Sequence, residues 1–229
     1  MVNDNIAQRF LTAMQRSYQM VQEHGPRSTQ KTRVLHGWVQ DELRRELRDN
    51  YTFTGQSPTS AHEANVGGMY YGKDVDVLIS RDEHELGVIS IKFVISNYRQ
   101  NSINYFEQQI GETANLRRRN IVYGNLFCVT NPIPYKNRAG QITRRERIQE
   151  HDIQRYANLR ADHVSLHSPQ EMAIGIVELD TDQDTITGIT DPATLDISES
   201  SQNALTNALS VSLFFARMAR RIELRYLSP

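Results

Sequence analysis

Two short apolar runs that alternate with polar residues, separated by a charged turn, constrain the fold of this chain more than any other stretch. They lie between Gly72 and Phe93, in the segment GKDVDVLISRDEHELGVISIKF. Alternation with a period of two is typical of β-strands, and a short charged segment between two such runs predicts a β-hairpin. We therefore expect a sheet in which the apolar face of this hairpin is buried.

The polar residues of the two runs share one face of the predicted hairpin. Asp74 and Asp76 lie on one side of the first run, and Ser90 and Lys92 lie on one side of the second. Antiparallel pairing would bring the carboxylates opposite the amine. Two interpretations of this pattern remain open: a site that uses acid and amine together, or a cross-strand ion pair on a solvated sheet face.

The segments DVDVLI and VISIKF resemble the core hairpin of the PD-(D/E)xK nuclease superfamily, best known from type II restriction endonucleases. The resemblance implies that an acid of the first run, Asp76 or Asp74, holds Mg²⁺ together with the main-chain carbonyl of Ile91. Asp76 is preferred because it is embedded in the run.

The resemblance also implies that Lys92 assists the attacking water. Ser90 stands where the family usually has a carboxylate, and Glu63 is the candidate that would replace the missing acid.

The same resemblance implies a fold and a function. The fold is α/β, with a restriction-endonuclease-like core in which helices flank a central mixed β-sheet. The function is sequence-specific, Mg²⁺-dependent hydrolysis of double-stranded DNA within a prokaryotic restriction-modification system, by a homodimer, because a two-fold DNA site calls for a two-fold protein. A structure-specific repair nuclease of the same superfamily and a non-catalytic DNA-binding module remain open as alternatives.

Composition favours a soluble cytoplasmic protein. Hydrophobic residues make up 38% of the 229 residues, and the sequence contains neither a membrane-spanning apolar stretch nor the apolar core of a signal peptide. The single cysteine, Cys128, lies in an apolar run and excludes an internal disulfide or a cysteine zinc cluster. A formal net charge of -1 means that contacts with DNA need local clusters of positive charge.

We expect one nuclease domain over residues 1–229. Residues 1–50 predict a pair of amphipathic helices, residues 51–180 hold the catalytic core, and residues 197–225 form a long C-terminal helix. Ser60 and Glu63 have capping-box spacing, which predicts a helix before the hairpin and gives Glu63 a second interpretation as a capping residue.

Downstream of the hairpin, the sequence predicts the helix and strand that the superfamily core requires. The predicted elements are a helix from about Asn97 to Arg118, a strand from Ile121 to Thr130, a loop over 132–141, a helix from Thr143 to about Arg160, a strand from Met172 to Leu179 and a surface loop from Asp180 to Asp196.

Three groups of polar side chains are candidates for DNA contacts. The first is an amide-rich stripe on the predicted helix, which can read adenine edges but would equally suit a dimer interface or an ordinary surface. The second is cationic and lies in the loop over 132–141. The third crowds the predicted start of the next helix, where the dipole disfavours cations and a phosphate would relieve the conflict. The candidates are Asn97, Asn101, Asn104 and Gln108; Lys136, Asn137 and Arg138; and Arg144 and Arg145.

Overall fold

Alternating helices and strands make up the chain in a computed structural model, which describes residues 3–25, 28–60, 62–162 and 164–227. The helices are α1 (Asn3–His24), α2 (Gln30–Glu46), α3 (Tyr98–Arg117), α4 (Glu150–Ala161), α5 (Glu199–Thr206) and α6 (Val211–Leu227). The strands are β1 (Thr52–Thr54), β2 (Ala64–Gly67), β3 (Gly72–Val75), β4 (Val77–Arg81), β5 (His84–Val94), β6 (Val122–Asn131), β7 (Ile133–Lys136), β8 (Ile142–Glu146), β9 (Glu171–Asp180) and β10 (Thr185–Ile189).

A six-stranded mixed sheet with the order β1-β4-β5-β6-β9-β10 forms the centre of the fold. In this sheet, β4 pairs antiparallel with β1 and with β5. The strand β6 pairs parallel with β5 and with β9, after α3 and α4 respectively, and β10 pairs antiparallel with β9 at the edge. Two small sheets stand beside it, β2 with β3 and β7 with β8. The predicted architecture of a central mixed sheet flanked by helices is therefore confirmed.

Helices cover the two faces of the sheet differently. On the first face, α1, α2 and α6 pack on one continuous apolar cluster that includes Ile89, Ile91 and Phe93 of β5. On the second face, one apolar cluster lies around α4 and α5, and a separate one surrounds Val88 and Tyr123. Because successive residues of a strand point to opposite faces, β5 directs Ser90 and Lys92 toward the second face.

Several sequence predictions are confirmed. The N-terminal pair of helices is present, and both helices lie within the predicted residues 1–50. The helix and strand after the hairpin lie within one or two residues of their predicted bounds, and Cys128 is buried in β6. None of the described helices is long and apolar enough to span a membrane.

The first run of the hairpin is not one continuous strand, which corrects the prediction for Asp74 and Asp76. The chain bends at Asp76; β3 before the bend pairs with β2, and β4 after it pairs with β5. The two aspartates therefore belong to different parts of the fold. The alternation continues through the bend, so the sequence pattern gives no sign of the change of partner.

The helix predicted from Ser60 and Glu63 is also wrong. The chain after Glu63 forms β2, in which Ala64 and Val66 are buried while Asn65 and Gly67 are exposed. Ser60 accepts a hydrogen bond from the His62 amide, and its backbone pairs with Ser57. Capping-box spacing is short, and here the pairing with β3 decides the local structure.

The predicted start of the next helix at Thr143 is wrong for the same reason, although its predicted end near Arg160 is confirmed. Residues Ile142–Glu146 form β8 and pair with β7, which occupies part of the predicted loop. The helix α4 begins at Glu150, where Gln149 and Asp152 form the capping box. Arg144 and Arg145 therefore do not crowd a helix N-terminus.

Two C-terminal predictions need correction as well. The predicted surface loop from Asp180 to Asp196 contains β10, which pairs with β9 at the edge of the sheet. The predicted long helix is divided into α5 and α6, and Phe214, Phe215 and Met218 of α6 are buried against the first face.

Candidate active site

A cavity of about 420 Å³ lies between β3, β5, β6 and α3, on the second face of the sheet. Its lining includes six of the residues that the sequence singled out: Asp74, Asp76, Ser90, Ile91, Lys92 and Gln108. Side chains that the sequence did not single out complete it, among them Lys31, Lys73, Tyr105, Glu112, Tyr123 and Asn125. The fold therefore brings the polar residues of both runs of the hairpin to one place.

Asp76 is held firmly at the bend between β3 and β4. Its Oδ2 atom accepts a hydrogen bond of 2.7 Å from the main-chain amide of Ile91, which ties the carboxylate to β5. Its Oδ1 atom lies 3.6 Å from Nε2 of His36, a buried residue of α2. Asp74, by contrast, is exposed and accepts a hydrogen bond of 2.7 Å from the side chain of Asn65.

Lys92 and Ser90 lie on β5, beside the buried side chains of β6. The Nζ atom of Lys92 lies 4.7 Å from the centre of the Tyr105 ring, where the negative face of the ring stabilises the ammonium group. In the parallel pairing, Ser90 lies opposite Asn125 and Lys92 opposite Phe127. The amine is therefore fixed by an aromatic ring of α3, and the hydroxyl of Ser90 lies beside a buried amide.

Lysine is concentrated in this cavity. The sequence has 26 lysines and arginines, of which four are lysines, and three of those four line the cavity: Lys31, Lys73 and Lys92. Burial lowers the pKa of Lys31, and the positive charge of Lys92 lowers it further. A lysine ammonium is compact and changes its pKa readily when buried, whereas an arginine remains charged.

Glu112 is a site residue that the sequence reasoning missed. This carboxylate of α3 is 2.7 Å from Nζ of Lys73 and accepts hydrogen bonds from Gln108 at 3.0 Å and from the hydroxyl of Tyr123 at 3.3 Å. Burial, together with the charge of Glu112, raises the pKa of Tyr123 well above its usual value. The available signal was that Glu112 is the one acid in the amide-rich stripe of α3.

Two buried groups near the carboxylates have no hydrogen-bond partner among the described residues. One is the Oδ1 atom of Asn125, a residue that is 4% exposed and lines the cavity. The other is the imidazole ring of His36, whose pKa is lowered by burial against the opposing influence of Asp76 and Glu63. An unpaired buried acceptor is costly, so the amide of Asn125 is available for a ligand or a water molecule.

Glu63 does not line the cavity. It is exposed and accepts a hydrogen bond of 2.8 Å from Gln56, although its charge acts on His36. Of these two acids, Glu112 lines the cavity and Glu63 does not.

The amide stripe of α3 divides into residues with different surroundings. The side chain of Asn97 bonds the backbone of Lys136 in both directions, at 2.7 and 3.2 Å, and fastens β7 to the start of α3. Asn101 donates to the backbone of Asn97 at 3.4 Å, Asn104 is exposed, and Gln108 bonds Glu112. The stripe is therefore partly structural and only partly free to contact another molecule.

The remaining candidates for DNA contacts lie on the hairpin of β7 and β8. Lys136 is half-buried and Arg138 is exposed, while the Oδ1 atom of Asn137 closes the turn by accepting from two backbone amides. Arg144 lies 4.0 Å from the centre of the Tyr135 ring and pairs with Glu146, and Arg145 pairs with Asp182. The hairpin presents these cations on one exposed element.

The donor atoms of the cavity fit Mg²⁺. Within the described ranges, no group of three or more His, Cys, Asp or Glu side chains is placed to hold an ion. Mg²⁺, however, is usually held by one or two carboxylates and completes its shell with water and substrate phosphate. Asp76 and Glu112 are two carboxylates that both line the cavity.

Comparison of the chain with protein-family models, with curated proteins and with solved structures gave no match. The geometry of the cavity is therefore the basis for the function proposed below.

Proposed function

We propose that this chain is a Mg²⁺-dependent deoxyribonuclease that hydrolyses phosphodiester bonds of double-stranded DNA at specific sites, as type II restriction endonucleases do. The observation that carries the proposal is the cavity on the mixed sheet, in which Asp76, Lys92 and Glu112 line one space. The order β4, β5, α3, β6, with an antiparallel pair followed by a parallel strand, supports the proposal because a restriction-endonuclease-like core is built in this order.

Each residue has a role that follows from its surroundings. Asp76, Glu112 and the main-chain carbonyl of Ile91 would hold Mg²⁺, and Asp74 stands at the exposed rim. When bound, the ion supplies positive charge to the scissile phosphate and lowers the pKa of its water. Lys92 donates a hydrogen bond to the attacking water and offsets negative charge on the phosphate, while Ser90 and Asn125 bind water in the cavity.

The DNA would lie across the cavity and the exposed cations. Asn101, Asn104, Arg138 and Lys136 are the contacts that we propose on α3 and the β7–β8 hairpin, with Arg144 and Arg145 as cations on that same hairpin. A palindromic site calls for a homodimer. Since the apolar centre of α6 is buried within the chain, the exposed part of α3 is the better candidate for the dimer interface.

Digestion of a defined phage DNA tests the proposal, with Lys92→Ala as the decisive variant. Discrete fragments are expected from the unaltered protein in Mg²⁺ and none without it. Lys92→Ala should lower the cleavage rate by about 10² to 10³, the typical cost of removing one hydrogen-bond donor that stabilises negative charge in the transition state, while DNA binding persists. Arg48→Ala, at an exposed arginine that does not line the cavity, is the matched control.

Other outcomes separate the alternatives. Nicking of branched DNA without discrete fragments selects a repair nuclease, and binding without cleavage in Mg²⁺ or Mn²⁺ selects a non-catalytic DNA-binding module. Full activity of Lys92→Ala in a clean preparation overturns the assignment of the site. A monomer in gel filtration, both with and without DNA, contradicts the homodimer.

A further inference from the structure

The turn between β2 and β3 exposes three large side chains in succession. Met69, Tyr70 and Tyr71 are 54%, 65% and 52% exposed. Contiguous exposed apolar and aromatic side chains are typical of a surface that contacts another molecule, whereas single ones are ordinary. The turn is therefore a candidate interaction surface, and we call these three residues the aromatic tip.

The aromatic tip is held rigidly by Asn115 of α3, a fully buried residue. The Oδ1 atom of Asn115 accepts from the amides of Tyr70 and Tyr71, at 2.9 and 3.4 Å, and its Nδ2 atom donates to the carbonyl of Tyr71 at 3.0 Å. Its own carbonyl accepts from the amide of Met69 at 2.9 Å. A Cβ atom on Gly68 would lie 2.1 Å from Nδ2 of Asn115, so the turn needs glycine at that position. A rigid display of exposed rings loses little conformational freedom on binding.

The aromatic tip stands at the rim of the cavity. The strand β3 follows it directly and brings Lys73 and Asp74 into the lining. On α3, Asn115 comes one turn after Glu112, and the ion pair between Lys73 and Glu112 joins β3 to this helix. Burial lowers the pKa of Lys73, but the hydrogen bond and the charge of Glu112 outweigh it and raise the pKa, with a smaller contribution from Tyr71.

Positive charge accompanies the exposed rings. The guanidinium of Arg118 lies 5.9 Å from the centre of the Tyr70 ring, and Arg118 and Arg119 are both exposed. Aromatic rings beside arginines are the pattern with which proteins stack on nucleobases and bind the adjoining phosphates. An apolar partner protein would have to cover these arginines as well, at a cost in desolvation.

We propose that the aromatic tip stacks on a base of the DNA bound across the cavity, with the ring of Tyr70 against the base and Arg118 against the neighbouring phosphate. This proposal rests on the proposed nuclease function, since it assigns a contact to the same DNA. Apolar side chains inserted between base steps unstack them and kink the duplex, and the bent DNA contacts more of the protein surface. The tip would thereby present the backbone beside that base to the cavity.

Fluorescence anisotropy with labelled oligothymidine and a labelled duplex tests the proposal, in a salt series without divalent metal. We expect Tyr70→Ala to weaken binding about tenfold or more at every salt concentration, because the loss of a stacked ring leaves the electrostatic contribution to the binding free energy unchanged. Tyr70→Phe should bind like the unaltered protein because it keeps the ring. Arg118→Ala should lower the slope of log affinity against log salt by about one.

Leu224→Ala is the matched control, since Leu224 is also more than half exposed but lies on α6. Because Tyr70 is exposed, its substitutions should leave the melting temperature unchanged. If Tyr70→Ala binds both probes like the unaltered protein, the stacking proposal fails, and cleavage by the unaltered protein would still support the nuclease.

The opposite outcome distinguishes the two proposals as well. If DNA binding depends on Tyr70 but the protein cuts no DNA in Mg²⁺ or Mn²⁺, the stacking contact is supported and the proposed nuclease function is overturned. If the unaltered protein binds neither probe, the stacking proposal is overturned. It is also overturned if Tyr70→Ala dissociates an oligomer without changing affinity for DNA, because the tip then contacts a second copy.

Discussion

The two faces of the central sheet are built from the same strands but carry different side chains. On the first face, β5 contributes Ile89, Ile91 and Phe93 to an apolar cluster that continues without interruption under α1, α2 and α6. On the second face, the same strand contributes Ser90 and Lys92, and the apolar side chains form two separate clusters. The cavity lies on this second face, so the continuous apolar cluster and the polar candidate site lie on opposite faces of the sheet.

The difference between the faces has an energetic reason. A polar group placed without a partner in the apolar cluster of the first face would cost about 1 to 3 kcal/mol. On the second face, polar groups are paired: Asp76 with the Ile91 amide, and Glu112 with Lys73 and Tyr123. The cavity gives the remaining polar atoms access to a ligand. We therefore expect substitutions in the continuous cluster of the first face to change stability, and substitutions of the polar residues that line the cavity to change activity.

The largest expected effect is on catalysis at Asp76. Asp76→Asn should lower the cleavage rate about 10³-fold, because the neutral amide cannot supply a charged ligand or hold the Ile91 amide as strongly. Asp74→Asn is the matched variant and should change the rate less than about tenfold, since Asp74 is exposed and bonds Asn65. Single-turnover cleavage in Mg²⁺ measures both. An equal loss of cleavage rate in both variants would show that the bend at Asp76 does not decide which aspartate takes part in catalysis.

A large loss of stability is expected on the first face. Leu126→Ala should lower the free energy of unfolding by about 2 to 5 kcal/mol, because Leu126 is fully buried in the continuous cluster. Ser90→Ala on the second face should change it by about 0.5 kcal/mol or less, since its side chain lines an open cavity. Urea unfolding monitored by circular dichroism gives both values. A Ser90→Ala variant as unstable as Leu126→Ala would contradict the division between the faces.

The smallest effect concerns alkaline pH and a buried tyrosine of the second face. Burial raises the pKa of Tyr156, so the folded protein holds this proton more tightly than the unfolded chain does. Its contribution to stability is complete below the unfolded value of about 10 and is lost as the pH rises above it toward the raised folded value. Tyr156→Phe should therefore unfold at a higher pH than the unaltered protein, whereas Tyr70→Phe, at an exposed tyrosine, should not.

The alkaline transition is measured by urea unfolding at a series of pH values. The same loss of stability in Tyr156→Phe and in the unaltered protein would assign the alkaline transition to other groups.

Local sequence patterns predicted the parts of the fold whose periodicity is long and unbroken. The helices α1 and α3 and the strands β5, β6 and β9 occur close to their expected bounds. The polar face of β5 was readable for the same reason: a strand fixes which side chains share a face, and Ser90 and Lys92 therefore had to lie together. Short signals failed, as at Ser60 and Thr143, because strand pairing outweighs a capping box of four residues.

The sequence by itself thus determined that Ser90 and Lys92 share a face of β5 and that a helix and a strand follow them. The tertiary structure alone decided that the chain bends at Asp76, that Glu112 rather than Glu63 faces the cavity, and that Asn115 holds the turn before β3. The physical reason is the distance along the sequence over which each signal acts. Periodicity acts over neighbouring residues, whereas these contacts join positions that are 15 or more residues apart, and only the packing of β3, β5 and α3 brings them together.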